Sequence, residues 1–328
     1  MTDAPGSEAT ETDLVIVGAG PTGLFATYYA GFRGMSVTVV DSLPELGGQI
    51  TAMYPEKEIL DVAGFPNVLG RDLVAGLVAQ AATAGPAYLL GRTAVGLSHH
   101  EDGVHLTLDD GTLLHAKALL VTAGIGTFSP RALPAGEGWL HKGLEFFVPS
   151  FGPYEGKDVV VVGGGDSALD WALHLEPIAR SVTLIHRRDA FRAHERSVAQ
   201  LRASTVQVLT NAEVTALRGA PTVDEVDVEV EGRPHTIKAQ AVVAALGFVA
   251  DLGPVQQWGI DTAKRHIVVD PTMRTNLPRV FAAGDVADYP GKVRLIAVGF
   301  GEAATAINNL APVIDPHAHV FPGHSSEG

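Results

Sequence analysis

The sequence contains no cysteine. This absence excludes disulfide bonds, catalysis by a thiolate, zinc sites with cysteine ligands and iron–sulfur clusters held by cysteine. Any redox chemistry that the protein performs must therefore depend on a bound group and not on its own thiols.

Basic residues and long apolar runs are also scarce. The chain has 23 Lys and Arg against 37 Asp and Glu, a net charge of −14. This balance disfavours nucleic acid and anionic membranes as partners, because both attract clustered cations. No run of about 18 apolar residues is present, and residues 1–12 lack the pattern of a signal peptide. We expect a soluble, cytoplasmic protein.

A glycine motif follows the first apolar run. Residues 14–17 lead directly into Gly18-Ala19-Gly20-Pro21-Thr22-Gly23, and a small-residue helix comes next. A buried strand, a glycine turn and a helix form a dinucleotide site, in which the helix N-terminus meets a pyrophosphate. The following strand ends at Asp41, whose carboxylate could accept hydrogen bonds from an unphosphorylated ribose. This motif is free to hold FAD.

The same pattern recurs near the middle of the chain. Four valines, 159–162, precede Gly163-Gly164-Gly165-Asp166-Ser167, and the next strand, 182–185, ends in His186-Arg187-Arg188. Gly20 to Asp41 and Gly165 to His186 span the same 21 positions. A cationic cluster suits a 2′-phosphate, so this motif favours NADP(H) over NAD(H). Two alternatives stay open. One of the two motifs could be a degenerate duplicate of a single working site, or the second glycine-rich turn could bind no ligand.

The two motifs predict the domain organisation. Similar strands and small-residue turns end near residues 124 and 247, as expected for two crossings between domains. We predict an α/β protein with two Rossmann-like three-layer dinucleotide-binding domains, the NADP(H) domain being inserted into the FAD domain. The FAD domain would comprise residues 1–122 and 251–328, and the NADP(H) domain residues 123–250.

Other segments give weaker signals. We predict a helix over 71–84 opened by Asp72, strands over 93–97, 104–108 and 113–121, and strand material over 272–275. Asp285 follows an apolar strand and could bind a ribitol hydroxyl or cap the next helix. His99 and His100 lie among polar residues, and we predict no metal site there.

The order of the motifs resembles that of the two-dinucleotide flavoprotein reductases, above all the low-molecular-weight thioredoxin reductases. Those enzymes carry a C-x-x-C pair ahead of the second motif, where this chain has Phe146-Phe147-Val148-Pro149. Dithiol exchange is therefore excluded here. Finer patterns resemble the thioredoxin-reductase-like ferredoxin–NADP⁺ reductases: Gly-Gly-Gln with Tyr-Pro-Glu-Lys, Val-Ala-Gly-Phe-Pro, and Gly-Gly-Gly-Asp-Ser-Ala-Leu-Asp-Trp-Ala.

The resemblance implies roles for individual residues. Tyr54 would stack on one face of the flavin. The other residues that would contact FAD are Gly18, Gly20, Thr22, Gly23, Asp41, Gln49, Ala94, Phe128 and Asp285. The residues that would hold NADP(H) are Gly165, Asp166, Ser167, His186, Arg187, Arg188 and Arg192.

The resemblance also implies a homodimer in which the C-terminal tail covers the partner's flavin. His324 would stack on that flavin, and Ser326 would contact it. Tyr54 and His324 would thus position the reacting groups, and no acid–base residue is required.

The implied reaction is transfer of electrons between NADPH and ferredoxin or flavodoxin, by hydride transfer to flavin N5 and then single-electron steps. One alternative is an NADPH-dependent flavin reductase of diffusible acceptors such as quinones or ferric chelates. Another is a redox-sensing protein that binds dinucleotides without turnover. No basic patch for an acidic partner is evident. We expect most of the scattered cations to be solvated surface charges; they are Lys57, Arg71, Arg131, Lys142, Lys292 and Arg294.

Overall fold

A computed structural model of the protein describes residues 10–321, with all side chains in that range except those of Thr10, Thr127, Phe128 and Ala250. The backbone forms two compact units. One comprises Met1–Thr127 and Ala250–Gly328, and the other comprises Phe128–Val249. The inserted unit thus begins at 128, where the sequence suggested 123, and ends at 249, where it suggested 250.

The first segment of the chain alternates strands with helices and ends in a β-meander. Its elements are β1 (Thr10–Val17), α1 (Pro21–Phe32), β2 (Val37–Asp41), α2 (Gln49–Met53), β3 (Glu58–Ile59), β4 (Val68–Leu69), α3 (Gly70–Ala82), β5 (Ala87–Leu90), β6 (Ala94–His99), β7 (Val104–Leu108) and β8 (Leu113–Val121).

The middle of the chain begins and ends with paired strands. Its elements are β9 (Thr127–Pro130), β10 (Leu144–Glu145), β11 (Asp158–Val162), α4 (Asp166–Leu175), β12 (Ser181–Ile185), α5 (Glu195–Ala203), β13 (Gln207–Leu209), β14 (Ala212–Arg218), β15 (Glu225–Val230), β16 (Arg233–Lys238), β17 (Ala241–Ala244) and β18 (Phe248–Asp251). Strands β9 and β18 pair with each other.

The last segment returns to the first unit. It contains β19 (Thr262–Ala263), β20 (His266–Val268), β21 (Val280–Ala282), β22 (Ala287–Asp288) and the long helix α6 (Ile296–Ile314). A short 3₁₀ turn, Gly284–Val286, follows β21. Within residues 10–321, no helix combines the length and the apolar character that a membrane span needs.

The first unit is built on a seven-stranded sheet. Its order is β5-β2-β1-β8-β7-β6, and β21 also pairs with β8. Strand β8 pairs with β1 along one edge. Along its other edge, the first half pairs with β7 antiparallel, and Leu119, Leu120 and Val121 pair with β21 parallel. The carboxyl ends of β1, β8 and β21 therefore meet at one edge, which is where parallel sheets bind ligands.

The second unit repeats this plan on a smaller scale. Its parallel sheet has the order β10-β17-β11-β12-β13, and β14, β15 and β16 form an antiparallel sheet. The four valines of β11 and the inner residues of β17 are buried, as expected for a central parallel strand. Both units have the parallel sheet with connecting helices that the sequence predicts, so the α/β fold class with two Rossmann-like units is confirmed.

Two local predictions differ from the structure. Residues 272–275 form no regular strand: Arg274 makes only an isolated antiparallel bridge with Phe281 of β21, and the Asp270 carboxylate accepts the N–H groups of Thr272 (2.8 Å) and Arg274 (3.0 Å) and closes a turn. Such side-chain bonds compete with strand pairing. Helix α3 begins at Gly70, with Leu69 at its N-cap, so Asp72 lies in the first turn and does not open the helix.

The packing at the first glycine turn generates a prediction. A Cβ on Gly23 would overlap the carbonyl oxygen of Gly18 and lie 2.8 Å from the Thr122 hydroxyl. We expect Gly23→Ala to destabilise the protein by about 1–3 kcal/mol in chemical unfolding, because a rigid backbone atom cannot yield.

The matched control is Gly76→Ala on α3, where nothing lies within 4 Å of the added carbon. That change should stabilise the protein by about 0.5–1 kcal/mol through helix propensity. Similar unfolding midpoints for the two variants would contradict the packing.

Candidate functional site

The first site begins at the turn between β1 and α1. Gly18 has φ +111°, and a Cβ there would lie 2.5 Å from the carbonyl oxygen of Thr122. The Thr122 hydroxyl in turn donates to the carbonyl of Gly18 at 2.8 Å. Helix α1 starts at this turn with Gly20 as its N-cap, without a side-chain cap or an acid in the first turn. Its first N–H groups are thus left for an anionic ligand.

Asp41 stands beside this turn at the end of β2. One carboxylate oxygen accepts the N–H of Ala19 at 2.6 Å, and the other accepts the N–H of Leu43 at 2.8 Å. Burial raises the pKa of Asp41, although the two backbone bonds oppose that rise. The carboxylate is therefore fixed in place and has acceptor capacity left for hydroxyl groups. Ala94 is buried at the start of β6, two residues after Arg92, whose N–H donates to the Asp41 carbonyl.

The loop after β2 returns to the glycine turn. A Cβ on Gly48 would lie 2.9 Å from the Cα of Gly20, so the two backbones are in direct contact. Gln49 begins α2, and its side-chain amide nitrogen lies 3.0 Å from the position of a Cβ on Gly124, in the turn that follows β8. The predicted amide thus lies at the same sheet edge as the predicted pyrophosphate turn.

Tyr54 and Asp285 also belong to this edge. Burial, followed by the charges of Asp285 and Asp61, raises the pKa of the Tyr54 phenol to about 12. The phenol is therefore neutral at physiological pH. The charge of Asp285 contributes to this rise although the two residues are 231 positions apart in the chain.

Asp285 lies in the 3₁₀ turn after β21 and does not cap α6, which begins only at Ile296. Within residues 10–321, no donor forms a hydrogen bond with its carboxylate. Burial raises the pKa of Asp285, although the positive charges of Lys292 and Arg294 act against it. A desolvated carboxylate without a donor at a sheet edge fits a hydroxyl-bearing ligand.

A buried ion pair lies behind Asp285, and the sequence did not reveal it. The side chains of Lys292 and Glu302 are only 2% and 4% exposed and contact each other. Lys292 was expected at the surface and is instead enclosed. Glu302 is the only charged residue in the apolar helix α6. An isolated acid in such a helix is the signal that could have identified it.

The second site begins at the turn between β11 and α4. Gly165 is the N-cap of α4, again without a side-chain cap. A Cβ on Gly164 would overlap the ring of His186, so this glycine allows the end of β12 to approach the turn. His186 stacks on Phe191 with ring centroids 5.3 Å apart, and its Nε2 contacts the Ala190 carbonyl at 3.2 Å.

The loop after His186 folds back over the glycine turn. Arg192 N–H donates to the Gly164 carbonyl at 2.7 Å, and Asp166 Oδ1 accepts the N–H of His194 at 2.8 Å. Asp166 therefore anchors the loop, a contact that the sequence did not predict. Ser167 is exposed in the first turn of α4.

The loop displays three predicted cations: Arg187, Arg188 and Arg192. All three side chains are exposed, and none forms an ion pair with any residue in the described part of the chain. Arginines grouped beside an uncapped helix N-terminus and a glycine turn can bind a phosphate monoester through paired N–H donors.

Three predicted residues cannot be placed. His324 and Ser326 lie outside the described residues, as does the side chain of Phe128, although its backbone is part of β9.

Elsewhere, His100 is part of a group of histidines that the sequence did not predict. Its ring centroid lies 3.7 Å from that of His105, which pairs across strands with His115. Among residues 10–321, no three His, Asp or Glu side chains are arranged to hold a metal ion.

Residues 12–308 match the pyridine nucleotide-disulphide oxidoreductases, and the chain belongs to this family. A ferredoxin–NADP reductase from Nocardioides sp. is 71% identical over 99% of both chains. Another, from Saccharopolyspora erythraea, is 61% identical over 99% of both. The crystal structure of T. acidophilum thioredoxin reductase superposes with a TM-score of 0.79 at 27% identity, covering 92% of this chain and 98% of that one. The resemblance seen in the sequence is confirmed.

Proposed function

We propose that the protein is an FAD-dependent ferredoxin–NADP⁺ reductase. The observation that carries this proposal is the pair of uncapped glycine turns with opposite charge at the end of the next strand, Asp41 in one and Arg187-Arg188 in the other. The full-length relatives described above support the choice of activity. The absence of cysteine separates the chain from a dithiol reductase.

The unit that contains β1 would hold FAD. The backbone around Gly18 and Gly20 would receive the pyrophosphate, and Asp41 the ribose of the adenosine half. The Asp285 carboxylate would accept a ribitol hydroxyl, and Gln49 and Tyr54 would face the ring system. Two features fit FAD: the desolvated Asp285 carboxylate, and the backbone surface without Cβ atoms that Gly18, Gly20 and Gly48 form for the pyrophosphate.

The inserted unit would hold NADP(H). The N-terminus of α4 would receive the pyrophosphate, and Arg187 and Arg188, with Arg192 beside them, would bind the 2′-phosphate. When bound, FAD supplies the chemistry that links a two-electron hydride donor to one-electron acceptors. The side chains of this protein position the reactants, and none needs to move a proton for hydride transfer.

We propose a cytoplasmic homodimer whose partner is ferredoxin or flavodoxin. The C-terminal residues His324 and Ser326 would lie over the flavin of the partner subunit, with His324 stacking on its ring. Light scattering of the purified protein and of a variant truncated after residue 321 would measure the mass and the contribution of the tail.

Steady-state assays with a panel of acceptors test the activity. With NADPH as donor, we expect reduction of ferredoxin to saturate at micromolar concentration, because a dedicated partner site gives a low KM, of the order of 1–10 μM. Quinones and ferric chelates should be reduced without saturation in that range. Faster, saturable reduction of a diffusible acceptor, with no response to ferredoxin or flavodoxin, would contradict the proposal.

Replacement of both arginines tests the nucleotide preference. We expect Arg187→Ala with Arg188→Ala to raise the KM for NADPH roughly 10–100-fold, because charged hydrogen bonds to a phosphate are lost. The KM for NADH should change little. Arg202→Ala on α5, also exposed, is the matched control and should affect neither nucleotide. Equal losses for NADPH and NADH would exclude a 2′-phosphate site.

Asp285→Asn separates binding from stability. Because burial raises the pKa of Asp285, the folded protein holds this proton more tightly than the unfolded chain does. Stability is therefore lost as pH rises through that pKa, and the neutral amide avoids this loss. We expect a higher melting temperature of the FAD-free variant at neutral pH, an advantage that disappears below about pH 4. FAD affinity should fall roughly tenfold or more.

Asp270→Asn is the control with the opposite sign. Although burial opposes it, hydrogen bonds from Thr272 and Arg274 lower the pKa of Asp270, so its charge stabilises the fold at neutral pH. This variant should melt at a lower temperature and bind FAD normally. Equal melting shifts for both variants would contradict the assignment of Asp285 as a desolvated ligand group.

A further inference from the structure

The turn that carries Asp285 is clamped from behind by the buried pair. Glu302 Oε2 accepts the N–H of Gly284 at 2.7 Å, and Lys292 Nζ donates to the carbonyl of Gly284 at 3.0 Å. These two backbone groups belong to the peptide planes before and after Gly284. The direction in which Asp285 leaves the backbone is therefore fixed by side chains from α6 and from the loop before it.

The pair is fully satisfied. Glu302 Oε1 contacts Lys292 Nζ and accepts the hydroxyl of Tyr289 at 2.6 Å, and Lys292 Nζ lies 5.5 Å from the centre of the Tyr289 ring. A buried ion pair rarely adds stability compared with apolar residues of similar size, because desolvation offsets the attraction. Its presence calls for a role that apolar side chains could not fill, and holding an N–H and a carbonyl in one turn is such a role.

The local backbone also requires support. Gly284 has φ +81°, and a Cβ there would lie 2.8 Å from the hydroxyl of Thr22, in the first turn of α1. The clamp thus holds Gly284 against the helix whose N-terminus forms the predicted pyrophosphate site. One network connects α6, the Asp285 turn and the start of α1.

We infer that Lys292 and Glu302 are positioning residues that hold the Asp285 carboxylate in register with the glycine turn, for contact with the ribitol of FAD. The inference rests on the proposed function. It extends that proposal by assigning a role to two residues that lie behind the site. Neither would contact the cofactor, and both bond the backbone of Gly284, so we expect their main effect on FAD to pass through the position of Asp285.

A double-mutant cycle on FAD affinity tests this coupling. FAD binding to the cofactor-free protein is measured for wild type, Glu302→Gln, Asp285→Asn and the double variant. We expect Glu302→Gln alone to weaken FAD binding roughly tenfold, through loss of one charged hydrogen bond. In the Asp285→Asn background the same change should weaken it less than about twofold, because residues that act as a unit are not additive. A purely structural role would give equal, additive losses in both backgrounds and would overturn the inference.

A charge-free variant controls for folding. Glu302→Gln leaves Lys292 buried without its partner, which can prevent folding. Lys292→Met combined with Glu302→Gln removes both charges, so its melting temperature should exceed that of either single variant. It still lacks the bond to the Gly284 carbonyl, and its FAD affinity should remain below that of wild type. Full recovery of affinity together with stability would overturn the inference.

Two further variants complete the test. Tyr289→Phe removes one donor to Glu302 while keeping the ion pair. It should weaken FAD binding less than Glu302→Gln does, and this loss should also shrink in the Asp285→Asn background. Lys117→Met breaks a surface ion pair with Asp13 (2.7 Å) and should leave FAD affinity unchanged.

If wild type does not bind FAD, or if Asp285→Asn does not weaken binding, the proposed function fails first. Additivity with normal wild-type binding overturns this inference alone.

Discussion

The contact between the first glycine turn and the neighbouring strand is the constraint on which the first site depends. The carbonyl of Gly18 lies against Gly23 and accepts a hydrogen bond from the Thr122 hydroxyl at 2.8 Å. The end of β1, the start of α1 and the end of β8 therefore pack so closely that no side chain fits between them. This packing brings the start of α1 to the edge where β1, β8 and β21 end. Asp41 and Asp285 reach the same edge from opposite ends of the chain.

The two units share one local plan and differ in its charge. In each, a buried strand, a glycine turn and an uncapped helix N-terminus are followed by a second strand that ends in charge. In the first unit that charge is the half-buried carboxylate of Asp41, held by two backbone N–H groups. In the second it is a group of exposed arginines on a loop tied to the turn by Asp166 and Arg192. The residues that follow the second strand of each unit set this difference. A carboxylate suits an unphosphorylated ribose, and arginines suit a ribose with a 2′-phosphate.

The sequence predicted what is encoded locally. The glycine turns, the strand that ends at Asp41 and the arginines after β12 can be read from neighbouring residues, because each depends on one βαβ unit. The role of Asp285 stayed open between a ligand group and a helix cap. Its turn is held by Lys292 and by Glu302 of α6, contacts that only the folded chain creates. Lys292 and Glu302 were missed because their partners are backbone groups of a turn up to 18 residues away. The grouping of His100 with His105 and His115 likewise depended on strand register.

The central claim is that electrons pass between NADPH and ferredoxin through a flavin held by the unit that contains Gly18 and Asp285. An anaerobic titration of the purified protein, followed by its visible absorbance, tests it most directly. We predict a yellow protein that bleaches with one equivalent of NADPH and regains its colour with two equivalents of oxidised ferredoxin, since each accepts one electron. A colourless protein that FAD cannot reconstitute, or a bleached protein that ferredoxin does not reoxidise, would contradict the claim.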